Sequence, residues 1–192
     1  LLQIEGTWEL HENVHLGCGL LLRIENGATL TTENNIRISN RTKIICYDKI
    51  HIRHDTRIAW ECQIIDTTFH YMRNVADNSV TALTSPIVIG SNNWIGNRCS
   101  VMKGAILPNY SIVAAGSLCN KKYDIPEYSL LAGTPAKLIK TGIYRCLDKE
   151  EQELLDKKIN SKKIYPYGIP IKEDVVFRLD RINSIQGKVT CR

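Results

Sequence analysis

From Ile89 to Ala136 the chain divides into eight six-residue units that open on Ile89, Ile95, Val101, Leu107, Val113, Cys119, Ile125 and Leu131. A period of six matches neither the 3.6 of a helix nor the alternation of a half-buried strand, and self-similarity at a fixed period reports a solenoid. Each unit is expected to be one short strand plus a corner. Its opening apolar side chain points inward and stacks on the residue three units later, with strands roughly 4.8 Å apart. Second and fourth positions are often small or turn-forming (Gly90, Gly96, Pro108, Ala114, Gly104, Gly116), as corners need unusual backbone angles or close approach. Fifth positions carry Ala105, Ser111, Ser117 and Ser129, which let the chain turn without crowding the core.

Upstream the beat continues with a looser register. Ile24, Leu30, Ile38, Ile44, Ile52, Ile58 and Ile64 are spaced by six or eight, with Trp8 and Leu16 extending the row toward the start. Ordinary antiparallel strands would also set isoleucines between turn residues. They would not hold a six-residue frame over eight units. The expected fold is therefore all-β, a parallel β-helix of hexapeptide repeats spanning 1–140 as one domain.

The frame breaks once, over residues 67–88, where Asp77, Asn78, Ser79 and Pro86 mark a loop extruded from the body. After Lys140 the period ends, and 141–192 reads as a dependent C-terminal helix and tail. Asp148 is a candidate helix cap, with Leu154, Leu155 and Ile159 on one side of a helix through about Lys158 that covers the open end of the stack. IYPYGIP and VVFRL farther on read as a turn and a strand-like segment.

The seven cysteines are an odd number and form no CxxC pair, which favours buried free thiols in a reducing compartment. No apolar stretch is long enough to cross a bilayer and no signal-peptide pattern leads the chain, so a cytoplasmic protein without membrane insertion is expected. The net charge of +5 is unevenly spread. Residues 1–136 hold twelve Lys/Arg against twelve Asp/Glu, and 137–192 hold thirteen against eight. The later cations are interleaved with acids and lack aromatic runs, which argues against nucleic acid. A local phosphate site fits better, with Lys137 and Lys140 beside the last coil as its first candidates.

Chemistry is expected where the scaffold is interrupted. His70 lies at the start of the loop, four residues after Asp66, and an imidazole can take a proton from an attacking hydroxyl near neutral pH. His11, His15, His51 and His54 read as surface residues on coil faces. No histidine follows His70 and no ligand set has zinc spacing, so no metal is expected. Nucleotide-binding glycine motifs and a GxSxG elbow are absent.

The stretch PIVIGSNNWIGNRCSVMKGAILPNYSIVAAGSL followed by IPEYSLLAGTPAKLIK resembles the hexapeptide-repeat acyltransferases of the galactoside and maltose O-acetyltransferase group. RIAWECQIIDTTFH before the WIGN coil is similar to the O-acetyltransferases of bacterial surface-polysaccharide synthesis. The resemblance covers roughly residues 24–147. It implies a left-handed β-helix, a homotrimer with acetyl-CoA held between subunits, and a cytoplasmic enzyme that acetylates a sugar hydroxyl. By motif position His70 is then the general base for direct attack on the thioester, with a backbone N–H near Asn97 facing the oxyanion. Asn97 and Ala115 match positions along the pantetheine arm. Asn120 and Lys121 match a Thr-Lys pair near the adenosine phosphates, Lys137 and Lys140 match two arginines there, and two extra residues near Tyr123 shift that corner relative to the family. Lysine keeps the charge of arginine and loses its fork. Trp94 matches a recurring aromatic that either fills a coil corner or meets ligand.

On the acceptor side, relatives carry an acidic residue two before the histidine, where this chain has Thr68. That leaves Asp66 either to orient the base or to cap the turn. Asn40 and Asp48 lie in coils where the family binds its sugar, and Asn40 and Asp66 are the acceptor-binding candidates. Two further readings stand beside O-acetylation: N-acetylation of an amino-sugar nucleotide, and a non-catalytic scaffold or γ-type carbonic anhydrase relative.

Overall fold

The computed structural model describes residues 1–146 and 149–162. Residues 1–145 form one unit, a stack of triangular coils whose strands line three faces. The first face takes Leu2–Ile4, Leu21–Ile24, Lys43–Cys46, Gln63–Ile65, Ser100–Met102 and Leu118–Cys119. Thr7–Leu10, Thr29–Thr32, Lys49–Ile52, Ile87–Ile89 and Ile106–Leu107 make the second. The third holds His15–Leu16, Arg37–Ile38, Arg57–Ile58, Trp94–Ile95, Ile112–Val113 and Ser129–Gly133. All these neighbours pair in parallel.

Register records coil length. Leu22 stacks on Leu2, Ile44 on Leu22 and Ile64 on Ile44, steps of 20, 22 and 20 residues. From Val101 to Cys119 the step is 18, three hexads to a turn. The coil between Ile64 and Val101 takes 37 because it carries the extruded segment. The inward column is apolar and sealed: Ile24, Leu30, Ile38, Ile44, Ile52, Ile58, Ile64, Ile89, Ile95, Val101 and Leu131 are all buried. Cys46, Cys62, Cys99 and Cys119 are buried free thiols in the same core.

Two details differ from the repeat as read. Cys119 and Leu131 are buried as expected, but between them Tyr123 takes the inward place and Ile125 only packs on the core from a half-buried position. Tyr123 follows Lys122, which bridges Ile106. The frame therefore runs four residues and then eight, whose sum conceals the slip. The second concerns the fourth positions, which adopt the left-handed conformation whatever their size: Arg98, Tyr110 and Tyr128 at φ 57, 55 and 60 beside Gly104 and Gly116. A side chain at this corner projects off the coil, so bulk is tolerated. The second-position glycines answer to close approach instead, since a Cβ on Gly96 would lie 2.7 Å from the Ala115 nitrogen.

The stack ends in a strand. Ala136–Thr141 turns back antiparallel on Ser129–Gly133 and supplies an edge bearing Lys137 and Lys140. Charged side chains on an exposed edge discourage further strand pairing. The second unit contains a helix, Lys149–Lys162, four residues longer than expected, with Glu150 and Glu151 in its first turn where the helix dipole favours them. Asp148, the Ile159 side chain and the segments IYPYGIP and VVFRL lie outside the described residues. No helix among the described residues is long and apolar enough to cross a membrane.

Candidate active site

The extruded segment leaves the edge between the first and second faces as an antiparallel arm. Thr67 bridges Thr84, Arg73 bridges Val80, and Thr68 N donates to Leu83 O at 3.0 Å. Its tip is closed by Asn74 N to Ser79 O at 2.8 Å. Phe69 at the base sits at φ 59, a strained conformation for an aromatic residue, and meets Tyr47 edge-on at 5.5 Å between ring centroids. That kink and contact set the direction of the next residue. His70 is exposed there, and its carbonyl accepts a hydrogen bond from Thr68 Oγ1 at 3.1 Å.

Asp66 is fully buried and turned away from this position. Its Oδ1 accepts from Tyr47 N and its Oδ2 from Asp48 N, both at 2.8 Å, with the Cys46 thiol 3.7 Å away. Burial pushes its carboxyl above the usual range, although the backbone donors pull the other way. Of the two readings of Asp66, the geometry supports the cap on the 46–48 turn. Asp66→Asn, which presents one acceptor oxygen and an NH₂ to two buried N–H groups, is expected to cost about 1–3 kcal/mol of stability. Chemical denaturation measures it, and an unchanged midpoint would remove the capping role.

The cofactor candidates Asn97, Ala115, Asn120 and Lys121 divide between two edges, and the acceptor candidate Asn40 shares the first of them. Asn40, Trp60, Asn97 and Ala115 follow one another down the edge between the third and first faces, with Glu61 N donating to Asn40 O, Arg98 N to Trp60 O and Gly116 N to Asn97 O. Asn40 also accepts from Cys18 N through Oδ1 at 2.9 Å, so its amide supports the corner of the preceding coil. Asn120 and Lys121 are exposed on the other edge, below the arm, where Lys103 reaches the Ala82 carbonyl. Lys121 Nζ lies 5.6 Å from the Tyr123 ring centroid. The Tyr123 hydroxyl donates to Ala136 O at 3.3 Å, tying this corner to the strand on which Lys137 and Lys140 stand exposed opposite Ala132 and Leu130. Lys121, Lys137 and Lys140 thus share the last coil, whereas His70 and the Asn97–Ala115 column are separated by the width of the first face.

Trp94 lies in the third-face strand Trp94–Ile95 with its side chain exposed. Two histidines read as plain surface residues are paired: His51 Nε2 lies 2.7 Å from Glu33 Oε1 and His54 Nδ1 3.0 Å from Asp55 Oδ2. Arg145, which no motif singled out, donates through Nη2 to Asp55 O at 3.1 Å, and burial beside Arg57 pushes its guanidinium down to about 10. Among the described residues no three His, Cys, Asp or Glu side chains converge on a metal-sized space.

No family model matches the chain. It is 28% identical over 144 residues to "Putative lipopolysaccharide biosynthesis O-acetyl transferase WbbJ" of Escherichia coli K12, covering 71% of this chain and 72% of that protein. Several other curated relatives are matched over only 27% of their own length. Among solved structures, the polySia-specific acetyltransferase NeuO superposes with a TM-score of 0.53 at 18% identity, over 82% of this chain and 96% of that one. The hexapeptide-repeat acetyltransferase VCA0836 of Vibrio cholerae does so with 0.51 at 21%, over 69% and 73%. The chain resembles hexapeptide-repeat acetyltransferases in sequence and shares their fold.

Proposed function

We propose that this β-helix protein is an acetyl-CoA-dependent O-acetyltransferase acting on a sugar hydroxyl in surface-polysaccharide synthesis, working as a homotrimer with its active sites between subunits. The acyltransferase class is supported by the match to WbbJ across most of both chains. The division of the site residues between two edges carries the intersubunit reading: His70 on one edge and the Asn97–Ala115 column on another need a second copy to meet.

In that arrangement His70 accepts the proton of the acceptor hydroxyl as its oxygen bonds to the thioester carbonyl carbon. A backbone N–H near Asn97 faces the developing oxyanion. As the carbon–sulfur bond breaks, the proton passes to the departing thiolate, so no acyl-enzyme forms. Small Ala115 lets the pantetheine arm lie flat, while Asn120, Lys121, Lys137 and Lys140 hold the phosphate end.

Thiol release from acetyl-CoA over a panel of sugars and amino-sugar nucleotides tests the activity. An acceptor-dependent signal whose product loses acetyl in mild alkali is expected, as for an ester. An alkali-stable product would make the enzyme an N-acetyltransferase, and silence across the panel would remove the reading. Lys137→Ala with Lys140→Ala is expected to weaken CoA binding about tenfold and flatten its salt dependence, two exposed charge contacts being lost. Calorimetric titration reads this, and unchanged affinity would refute the phosphate assignment.

A further inference from the structure

On the edge between the third and first faces, a cleft of about 240 Å³ opens between Arg41, Lys43, Glu61, Gln63, Arg98 and Ser100, with Cys62 and Cys99 in its floor. Three coils build it. Arg41, Glu61 and Arg98 occupy successive left-handed corners at φ 57, 59 and 57, and Lys43, Gln63 and Ser100 stand in register on the first face beside them. Glu61 sits between the arginines, Oε1 2.9 Å from Arg41 Nη2 and Oε2 2.9 Å from Arg98 Nε. Both arginine side chains are about 70% exposed, and their guanidinium groups keep further N–H donors beyond those bonds.

Stability does not account for this arrangement. Exposed ion pairs contribute about 0–1 kcal/mol each, and all three bulky residues hold a backbone conformation that glycine or asparagine would adopt more easily. The cleft also departs from its surroundings in charge. Residues 1–136 balance cations and anions, yet here three cations face one carboxylate. Its planar donors suit an oxyanion with two oxygens to share. The volume falls just below the ~300–1,000 Å³ of drug-sized pockets, which suits a single sugar residue. Trp60, half exposed immediately before Glu61, offers a flat apolar face on the same edge.

We propose that this cleft is the docking subsite for an anionic acceptor, with the carboxylate or phosphate of a charged sugar against Arg41 and Arg98, Glu61 splaying the two guanidinium groups and Lys43 closing the side. This rests on the O-acetyltransferase reading and names its substrate class. The subsite lies on the edge that carries the Asn97–Ala115 column and extends from the coil of Arg98 two coils upward to Arg41, whereas the lysines assigned to CoA phosphates lie on the coils below it, so both ligands can be held at once.

Binding measured without turnover tests the assignment independently of the catalytic reading. Titrations use glucuronic acid, glucose 1-phosphate and glucose, with and without saturating CoA. At least one anionic probe is expected to bind about tenfold tighter than glucose, and the tighter of the two identifies carboxylate or phosphate. CoA leaves this affinity unchanged. Arg41→Asn with Arg98→Asn, chosen because asparagine tolerates the left-handed corner, is expected to weaken the anionic probe about tenfold while preserving CoA affinity and melting temperature. Glu61→Gln frees both guanidinium groups and is expected to tighten binding about two- to fivefold. Glucose binding as well as the anions, displacement by CoA, or indifference to the double substitution would each overturn the proposal.

Discussion

Replacing His70 with alanine is expected to slow acetyl transfer by about 10²–10⁴, or roughly 3–5 kcal/mol of barrier, as removal of a general base does. CoA affinity and stability should stay near their starting values. The side chain is exposed, and the arm is held by backbone bonds of Thr67, Thr68 and Met72 to its returning strand rather than by the imidazole. Steady-state thiol release paired with a melting curve separates the two effects. Turnover retained within about tenfold would take the general-base role from His70, leaving His54, whose Nδ1 already faces Asp55, to be tried next.

The second large effect is expected at Tyr123. Tyr123→Ala should cost about 3–5 kcal/mol, the range for truncating a buried aromatic ring. Tyr123→Phe removes only the hydrogen bond to Ala136 O and should cost about 1 kcal/mol. Because contacts in a solenoid run between neighbouring coils, the loss should concentrate in the last coils. CoA affinity should fall with it, since the ring braces Lys121 and the strand bearing Lys137. Denaturant unfolding combined with CoA titration checks this, and a mild alanine variant with intact CoA binding would mean that Ile125 can take the inward place.

That residue also shows where the sequence stopped being legible. A solenoid announces itself because each coil needs one slim inward side chain per face, and Ile89, Ile95, Val101 and Val113 satisfy that need at a fixed interval. At Cys119 the interval shortens to four and then lengthens to eight, a slip that an unbroken count of sixes hides and that only the resemblance marks, as two extra residues near Tyr123. Upstream, the mixture of six and eight carried the correct inward residues because long corners add pairs of residues outside the stack. The arm was legible as a gap in the frame, but its antiparallel pairing rests on isolated bridges too short to impose an alternating pattern.

The residues proposed for chemistry followed from the gap and from the resemblance. Their division between two edges did not, because it depends on which corner of the triangle each hexad occupies. The Arg41–Glu61–Arg98 cleft was hidden for a related reason. Its members are 20 and 37 residues apart, and only the observed register stacks them.

Subunit mixing tests the central claim, an active site assembled from edges of two chains. One parent carries His70→Ala and the other Ala115→Trp, which fills the pantetheine position on the opposite edge, and each alone should be nearly inactive. Co-assembled at equal ratio, they should regain activity at about a quarter of the sites, where an intact arm edge meets an intact Asn97 edge. Hybrid oligomers as inactive as their parents would contradict the account.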